Sequence, residues 1–563
     1  MKTSIGAFLL QRLREIGVTQ IPGVPGDYNL QFLEQIDDAQ GIDFIGACNE
    51  LNAAYAADGY ARIRGAGAVL TTYGVGELSA LNGIAGAACE HVPVVAITGA
   101  PPLYAMEEGW LLHHTLAEGD YDDMMAAFTP FTVAQTRLTP ANAAAEIDRV
   151  LIACLREKKP VYIQLPSNIS YLEIEAPDTP IATRSSSDPA SLSRAADHLA
   201  RKWQAAQRPA ILVDMDAARF GLAAPLLRLA EKTGTRFAAL TTGKSILPEA
   251  HPLSLGLYNG KASAPETRAA IEGSDCLLAT APRFIEVNSG LFSARLPDCA
   301  AMLRGHSLRL DGTVYEGVEA ADLIEALTQR LPAAQAPTRS PAAPARPPAP
   351  QPDAPLRHAT LWPRLAGFLR PGDVVLAENG TSNIGLTPQV LPSGVTLVNQ
   401  NIWGSIGYTL PATLGTALAA PDRRHVLFIG DGSLQLTVQE LSTMLRLGQK
   451  PVIFVLNNRG YTIERYILGM RDAYNDIADW RYTDLPGVFG GTDFTTAQAR
   501  TGADLEAALE QAENAENLTL IELHLDPFDA PEALKSFGPA VADFDYGPSG
   551  PQGAAKHRPP VNA

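Results

Sequence analysis

The sequence predicts an α/β protein of three doubly wound domains, each a parallel sheet covered by helices. Three observations predict this fold class. The chain has 563 residues, more than one hydrophobic core usually covers. Short strand-like apolar runs alternate with Ala- and Leu-rich runs of helical type. A segment rich in Pro and Ala interrupts this alternation at residues 332–356.

The domain boundaries follow from changes in composition. A polar stretch at residues 176–187 separates a first unit, residues 1–180, from a second, residues 188–331. The Pro/Ala segment is interpreted as an interdomain linker, and the third unit covers residues 357–545. Residues 546–563 are Gly- and Pro-rich and are expected to form a disordered tail.

Each unit contains runs that are typical of buried strands. In the first unit they cover residues 68–72, 94–97 and 161–165. The second unit has them at residues 210–213 and 276–279, and the third at residues 374–376, 426–429 and 452–456. Helical patterns fill the intervals, so parallel pairing of the strands is expected.

The composition is that of a soluble globular protein, with 46% hydrophobic and 19% charged residues. A formal net charge of −17 would repel a phosphate backbone, so no nucleic-acid partner is expected. Five scattered cysteines without a CxxC pattern argue against disulfides and a zinc site, which favours the cytoplasm. The charged N-terminal stretch is unlike a signal peptide, and no apolar run is long enough for a membrane.

A glycine-rich turn follows one strand of the third unit. Residues 425–430 form an apolar run that leads into Gly430-Asp431-Gly432-Ser433, and a helical pattern covers residues 434–447. Such glycines let the backbone approach a phosphate, and free N–H groups at the helix start point at anionic oxygens. The pattern predicts a phosphate-binding turn at the carboxyl edge of the third sheet.

Oxygen ligands for a metal ion are predicted beside this turn. The next strand, residues 451–456, ends in Asn457-Asn458-Arg459-Gly460, so an amide side chain emerges next to Asp431. Magnesium prefers carboxylate and carbonyl oxygens, often completed by phosphate oxygens. We expect Asp431, the side-chain oxygen of Asn458 and the carbonyl of Gly460 to bind Mg²⁺.

The spacing of these motifs narrows the kind of cofactor. The 24 residues between Gly432 and Asn457 resemble the thiamin-diphosphate signature of decarboxylases and acetolactate synthases. Residues 1–545 resemble the thiamin-diphosphate-dependent 2-oxo acid decarboxylases, a family of pyruvate, indolepyruvate, phenylpyruvate and branched-chain enzymes. Besides the glycine turn, the motifs that carry the match are Gly23-Val24-Pro25-Gly26-Asp27, the run from Cys48 to Arg62, Leu112-His113-His114-Thr115-Leu116 and Gly460-Tyr461-Thr462-Ile463-Glu464.

This resemblance implies the cofactors and the activity. The first unit would be a pyrimidine-binding domain, the second a Rossmann-like middle domain and the third a diphosphate-binding domain. The cofactors would be thiamin diphosphate and Mg²⁺. The implied reaction is the non-oxidative decarboxylation of a 2-oxo acid to an aldehyde and carbon dioxide through the C2 carbanion of thiamin diphosphate.

Five residues carry the chemistry that the resemblance implies. Glu50 would bind the aminopyrimidine nitrogen and favour the tautomer that removes the C2 proton. Asp27 and His114 would relay protons, and His113 would help to close the site. Glu464 would act near the reacting carbons with a raised pKa. Taken singly, Glu50 fits an ordinary helix-start glutamate, and Glu464 fits an exposed charge paired with its neighbour in sequence.

Further residues are expected around the cofactor and the substrate. Ile406 is expected to be the wedge that bends the cofactor. The other cofactor contacts are expected from Thr381, Ser382, Ser405, Gly430, Gly432, Ser433, Asn458, Tyr461 and Thr462. The substrate pocket is expected to involve Asn383, Ile384, Ile463, Ile467, Phe537 and Val541. A medium or large aliphatic or aromatic 2-oxo acid is favoured.

The resemblance also implies self-association. Asp27, Glu50 and His114 of one subunit would face the cofactor that Asp431 and Asn458 of its partner hold, in a dimer or a tetramer. Other interpretations stay open: a pyruvate-specific decarboxylase, a carboligase or acetolactate synthase, or a non-catalytic protein of three Rossmann-like domains. An NAD site at residues 74–76 is not expected, because a serine replaces the third glycine of that fingerprint.

Overall fold

The computed structural model describes residues 2–183, 185–334 and 350–547, and it has one large sheet in each of the three units. Residues 335–349 of the predicted linker and 548–563 of the predicted tail lie outside the described residues. The predicted α/β class is confirmed. None of the helices in the described ranges combines the length and the apolar character that a bilayer crossing needs.

The first unit is a six-stranded parallel sheet between layers of helices. The strands of this unit, six of which form the large sheet, are β1 (Lys2–Ser4), β2 (Gln20–Gly23), β3 (Asp43–Gly46), β4 (Gly67–Thr72), β5 (Val94–Ala100), β6 (Gln135–Arg137), β7 (Val161–Pro166) and β8 (Glu173–Glu175). Its helices are α1 (Ile5–Glu15), α2 (Leu30–Asp38), α3 (Glu50–Arg64), α4 (Val75–Cys89), α5 (Leu103–Glu107), α6 (Asp123–Phe128) and α7 (Ala143–Glu157). The strand order is β3-β2-β4-β5-β7-β6, and β1 pairs with β8 separately. The central strands are buried on both faces, as parallel sheets require.

The second unit is a seven-stranded sheet that is mixed at one edge. Its strands are β9 (Pro209–Val213), β10 (Arg236–Ala239), β11 (Ser254–Leu257), β12 (Cys276–Ala279), β13 (Ala301–Arg304), β14 (Ser307–Leu310) and β15 (Thr313–Glu316). Its helices are α8 (Pro189–Ala205), α9 (Asp216–Arg219), α10 (Ala223–Thr233), α11 (Pro265–Glu272) and α12 (Ala320–Arg330). The order is β11-β10-β9-β12-β13-β14-β15.

The sequence predicts a wholly parallel second sheet, and this prediction is wrong at the β13–β15 edge. Strands β13, β14 and β15 are antiparallel, because two-residue turns join them and leave no room for a crossover helix. The second turn is Asp311-Gly312, and both residues have positive φ, 47° and 76°. Asp-Gly with two positive φ angles is a preferred hairpin turn.

The third unit is a six-stranded, wholly parallel sheet. Its strands are β16 (Val374–Ala377), β17 (Thr396–Val398), β18 (His425–Gly430), β19 (Val452–Asn457), β20 (Phe494–Ala499) and β21 (Leu518–His524). Its helices are α13 (His358–Ala366), α14 (Thr381–Leu386), α15 (Thr409–Ala419), α16 (Asp431–Thr437), α17 (Glu440–Arg446), α18 (Thr462–Ile467), α19 (Leu485–Val488), α20 (Gly502–Asn514) and α21 (Glu532–Tyr546). The order is β17-β16-β18-β19-β21-β20.

The single helix predicted over residues 434–447 is two helices, α16 and α17. The chain turns at residues 438–439, just after Thr437, whose hydroxyl donates to the carbonyl of Gly407 at 2.7 Å. This change of direction brings Glu440, the first residue of α17, against the first unit. The helical period of the sequence does not reveal the break.

The first and third units are joined by two helices that cross in close contact, α3 and α15. A Cβ atom at Gly415 would lie 1.8 Å from the carbonyl oxygen of Ala56, and one at Gly59 would lie 2.3 Å from that of Ala412. Only glycine permits so near an approach. Helix α3 therefore shares a hydrophobic core with the third sheet.

A buried ion-pair network joins all three units. Arg62 donates to Asp58 at 2.6 Å, to Glu90 at 2.9 Å and to the carbonyl of Asn399 at 2.9 Å. Arg219 of the second unit donates to the carbonyl of Glu90 at 3.2 Å. Burial disfavours the charge of Arg62, but the nearby carboxylates outweigh it and raise the pKa of that guanidinium.

Candidate active site

The predicted metal ligands lie together where β18 and β19 end side by side. Asp431 is buried, and its Oδ2 accepts a hydrogen bond from the N–H of Gly460 at 3.3 Å. One end of the Asn458 side-chain amide lies 2.7 Å from the carbonyl oxygen of Gly460 and 3.2 Å from Oδ1 of Asp431. With the amide oxygen at that end, three oxygens of the kinds that Mg²⁺ prefers converge. These residues therefore fit a bound cation.

The electrostatics of Asp431 also suit a cation. Burial raises the pKa of this carboxyl to about 7, although backbone N–H groups of neighbouring residues act in the opposite direction. A divalent cation beside the carboxyl would favour its charged form. Without a cation, the backbone N–H groups only partly offset the cost of burying this negative charge.

The glycines of the turn make room for the next loop. A Cβ atom at Gly432 would lie 2.5 Å from the ring of Tyr461, so glycine allows that ring to pack on the turn. Gly460 has φ 145° and packs against the guanidinium of Arg465. Both glycines thus shape the predicted metal loop.

The guanidinium of Arg465 stabilises the predicted metal loop through hydrogen bonds. It donates to the carbonyl of Arg459 at 3.1 Å, to that of Asn475 at 3.3 Å and to Asp476 at 2.7 Å. Sequence reasoning missed this role, since nothing local in the sequence marks it. The alternative interpretation of Glu464, an ion pair with Arg465, has no counterpart in the described ranges.

The predicted proton relay forms a cluster at the carboxyl edge of the first sheet. Nε2 of His113 lies 2.9 Å from Oδ2 of Asp27, and the His113 and His114 rings are 4.5 Å apart. Tyr28, which sequence reasoning missed although it follows Asp27 directly, stacks on His113 at 5.1 Å. The His114 carbonyl packs on Gly74, where a Cβ atom would lie 2.0 Å away. Asp27 and His113 are about half exposed.

Glu50 is the first residue of α3, directly after the β3 turn. The side chain of Asn49 caps the helix by accepting from the N–H of Asn52 at 2.8 Å. Gly76 faces the Glu50 carboxyl, because a Cβ atom there would lie 3.2 Å from its Oε1. The glycines at residues 74 and 76 therefore serve the His114 loop and Glu50.

Glu464 lies in the first turn of α18, and α21 packs across that helix. A Cβ atom at Gly538 of α21 would lie 2.6 Å from the carbonyl oxygen of Tyr466. Partial desolvation and the negative charge of Asp545 raise the pKa of Glu464. A carboxyl in this setting keeps its proton to higher pH than usual.

The other predicted cofactor contacts surround the same edge of the third sheet. Thr381 and Ser382 are buried in the first turn of α14, and Ser433 is buried in α16. The hydroxyl of Ser405 is engaged within the chain, with Tyr55 at 2.7 Å. The hydroxyl of Thr462 donates to the carbonyl of Pro527 at 3.0 Å, and Ile406 is partly buried in the loop before α15.

The predicted substrate pocket lies between α14, α18 and α21, which pack together. Ile384 and Ile463 belong to one apolar cluster with Phe528. The Asn383 amide is bound to two other asparagines, at residues 399 and 401. Ile467 and Phe537 are partly buried and Val541 is buried.

The two groups of candidate residues are not joined within the described chain. Asp27, Glu50, His113 and His114 lie at the first sheet, and Asp431, Asn458, Gly460 and Glu464 at the third. No hydrogen bond or ion pair in residues 2–183, 185–334 and 350–547 connects one group to the other.

A glycine turn at the carboxyl edge of a parallel sheet, with converging oxygen ligands, is typical of enzymes that hold a phosphorylated cofactor through a cation. Comparison with known proteins agrees. Models of thiamine pyrophosphate enzymes match the chain: the N-terminal TPP binding domain at residues 3–124, the central domain at residues 196–302 and the C-terminal TPP binding domain at residues 385–523. The chain belongs to the thiamine pyrophosphate enzyme family, so its cofactor is thiamin diphosphate.

Similar proteins span nearly the whole chain. The alpha-keto-acid decarboxylases of Mycobacterium leprae (strain TN) and Mycobacterium ulcerans (strain Agy99) are 42% identical to it over 541 and 540 residues. These alignments cover 94% of this chain and 94% and 95% of the two relatives. The alpha-keto-acid decarboxylase of Mycobacterium tuberculosis (strain H37Rv) is 42% identical over 547 residues, 94% of this chain and 96% of the relative.

Proposed function

We propose that this protein decarboxylates a 2-oxo acid to an aldehyde and carbon dioxide, with thiamin diphosphate and Mg²⁺ as cofactors. One observation carries the proposal: the chain holds an Asp27–His113–His114 cluster on one sheet and an oxygen cluster around Asp431 on another. The relatives named above are decarboxylases of this substrate class. The histidine and carboxylate groups suit an enzyme that must protonate its product.

The residues divide into an anchoring set and a chemical set. Asp431, Asn458 and the Gly460 carbonyl would hold Mg²⁺ against the diphosphate. Bound thiamin diphosphate supplies an electron sink for the cleavage of the carboxylate from the 2-oxo carbon. Glu50 would donate its proton to the aminopyrimidine ring and orient it. Ile406 would support the bend of the cofactor.

Proton movement would fall to four side chains. Asp27 and His113 are in hydrogen-bond contact and lie beside His114, so a proton can pass among them. Glu464, with its raised pKa, would hold a proton near the reacting carbons. When substrate binds and excludes water, the half-exposed side chains of His113 and Asp27 would close over the site.

We further propose that two chains share each site. The chemical residues of the first sheet and the anchoring residues of the third make no direct contact in the described part of one chain. A partner chain that supplies the missing half would bring them to one cofactor, in a dimer or a tetramer of two such dimers.

For the substrate, we propose a medium or large aliphatic or aromatic 2-oxo acid. Support comes from the apolar walls around Ile384 and Ile463. Both ends of the Asn383 amide are hydrogen-bonded to neighbouring asparagines, which reduces the polarity that this residue adds to the walls. A longer side chain gains about 0.8 kcal/mol for each methylene group that an apolar pocket buries.

The test is a panel of 2-oxo acids, from pyruvate to branched-chain and aromatic members, assayed for aldehyde and carbon dioxide in equal amounts. Each assay is run with and without added thiamin diphosphate and Mg²⁺. We expect the highest kcat/KM for the larger 2-oxo acids. Exclusive formation of an acyloin or acetohydroxy acid would replace the proposal by a carboligase, and a preference for pyruvate would correct the substrate alone.

A further inference from the structure

Glu440 is a fully buried carboxyl that reaches from the third unit to the first. It begins α17, and its Oε2 accepts from the side-chain amide of Asn52 at 2.8 Å and from the backbone N–H of Cys48 at 3.3 Å. Nothing in the chemistry proposed above uses this carboxyl. Burying a carboxyl costs free energy, so the groups that Glu440 binds indicate its role.

The two groups that Glu440 holds stand on either side of Glu50. Cys48 lies two residues before it, at the end of the β3 turn, and Asn52 lies two residues after it, in the first turn of α3. Helix α17 also binds this turn through Arg446, which donates to the carbonyl of Gly46 at 2.7 Å. Sulfur of Cys48 also contacts the Gln439 carbonyl at 3.2 Å. The backbone that carries Glu50 is thus clamped by one helix of the other unit.

We propose that Glu440 is a positioning residue for Glu50, holding the β3–α3 turn so that the Glu50 carboxyl meets the aminopyrimidine of thiamin diphosphate. The inference rests on the proposed function. It also links two neighbouring active sites. Helix α17 follows the glycine turn of the third unit, which would anchor one thiamin diphosphate. The same helix would align Glu50, which would serve the thiamin diphosphate held by the partner chain. Misplacement of a catalytic group by about 1 Å can cost about 100-fold in rate.

The experiment compares Glu440→Met, which removes the acceptor at similar size, in the wild-type and the Glu50→Gln backgrounds. Two quantities are measured: kcat, and the rate of hydrogen–deuterium exchange at C2 of bound thiamin diphosphate. In the wild-type background we expect Glu440→Met to slow both by about 10- to 100-fold. In the Glu50→Gln background we expect almost no further slowing, because residues that act through one another are not additive.

Three further measurements separate positioning from structure. Glu440→Gln keeps an oxygen that can accept from Asn52 and the Cys48 N–H, so it should recover most of the exchange rate. Asn52→Ala should reproduce the non-additivity if Glu440→Met does not fold. Glu249→Met is the matched control, since it removes a mostly buried carboxyl paired with Lys244 at 2.6 Å, far from Glu50 in sequence. Its effect should be the same factor in both backgrounds.

The outcomes are distinct. Slowing by Glu440→Met that disappears in the Glu50→Gln background, with rescue by Glu440→Gln, supports the proposal. An equal factor in both backgrounds overturns it and makes Glu440 merely structural, while leaving the proposed function intact. Unchanged exchange in Glu50→Gln alone overturns the role of Glu50, and with it both this proposal and that part of the proposed function.

Discussion

Asn458 places one end of its side-chain amide 3.2 Å from Oδ1 of Asp431, across the ends of two neighbouring parallel strands. The register sets this distance, because Gly430 of β18 pairs with Leu456 of β19 and both chains leave the sheet at the same level. Asp431 follows one strand end and Asn458 the other. The pair therefore forms the floor of the proposed Mg²⁺ site.

This relationship predicts a pH dependence of metal binding. Burial raises the pKa of Asp431 to about 7, so below that pH the cation must displace a proton. The affinity for Mg²⁺ at saturating thiamin diphosphate should fall by about tenfold for each pH unit below about 7 and level off above it. Titration of Mg²⁺ at several pH values measures this, with the affinity of free thiamin diphosphate for Mg²⁺ as the control. Equal protein affinity at acidic and neutral pH would contradict it.

A shared active site predicts complementation between two inactive subunits. Glu50→Gln and Asp431→Asn should each abolish most activity alone. In a mixed dimer, one site combines the intact Glu50 of one chain with the intact Asp431 of the other, so about half of the wild-type activity per dimer should return. Co-expression with two affinity tags isolates the mixed dimer. If each site lies within one chain, the mixed dimer stays inactive.

The charge of Asp545 should extend the alkaline limit of the reaction to higher pH. Desolvation and Asp545 raise the pKa of Glu464, so its proton persists to higher pH. Removing the charge with Asp545→Asn lowers that pKa, and the alkaline limb of the kcat profile should move to lower pH. Asp543→Asn, on the same helix, is the matched control and should leave the limb in place. A shift to higher pH would refute the coupling.

The close crossing of α3 and α15 predicts a steric limit at Gly415. A valine there would force its side chain into the carbonyl of Ala56, which cannot give way without moving α3. We expect Gly415→Val to destabilise the protein by about 3 kcal/mol or to prevent folding. The shift of the urea unfolding midpoint measures the loss. A stability equal to that of the wild type would show that the helices separate easily.

The network around Arg62 predicts a large cost for removing one charge. Arg62→Met would leave the Asp58 and Glu90 carboxylates buried without their cation, which should cost about 3–5 kcal/mol. Arg149→Met is the matched control, since Arg149 pairs with Glu146 at the surface of α7 and should cost less than about 1 kcal/mol. Urea unfolding of both variants makes the comparison. If Arg62→Met lost as little stability as Arg149→Met, water would compensate the Asp58 and Glu90 carboxylates in place of the guanidinium.

Much of the architecture could be predicted from local patterns. Apolar runs of three to six residues predict several of the buried strands, because parallel strands are covered on both faces. The buried strand β21 has no such prediction. The Asp311-Gly312 turn is a hairpin signal that the alternation of strands and helices does not include, so the prediction of a parallel edge for the second sheet is wrong. The break between α16 and α17 had no local signal, since it depends on contacts of Thr437 and Glu440 with distant segments.

By itself, the sequence determined the α/β class, the glycine turn and the two strand ends that carry Asp431 and Asn458, because these depend on residues close together in the chain. Only the tertiary structure decided which distant side chains meet. Glu440 and Asn52 are 388 residues apart, and Asp27 reaches His113 across the edge of a sheet. Such contacts depend on how helices pack and chains cross, which no local period encodes.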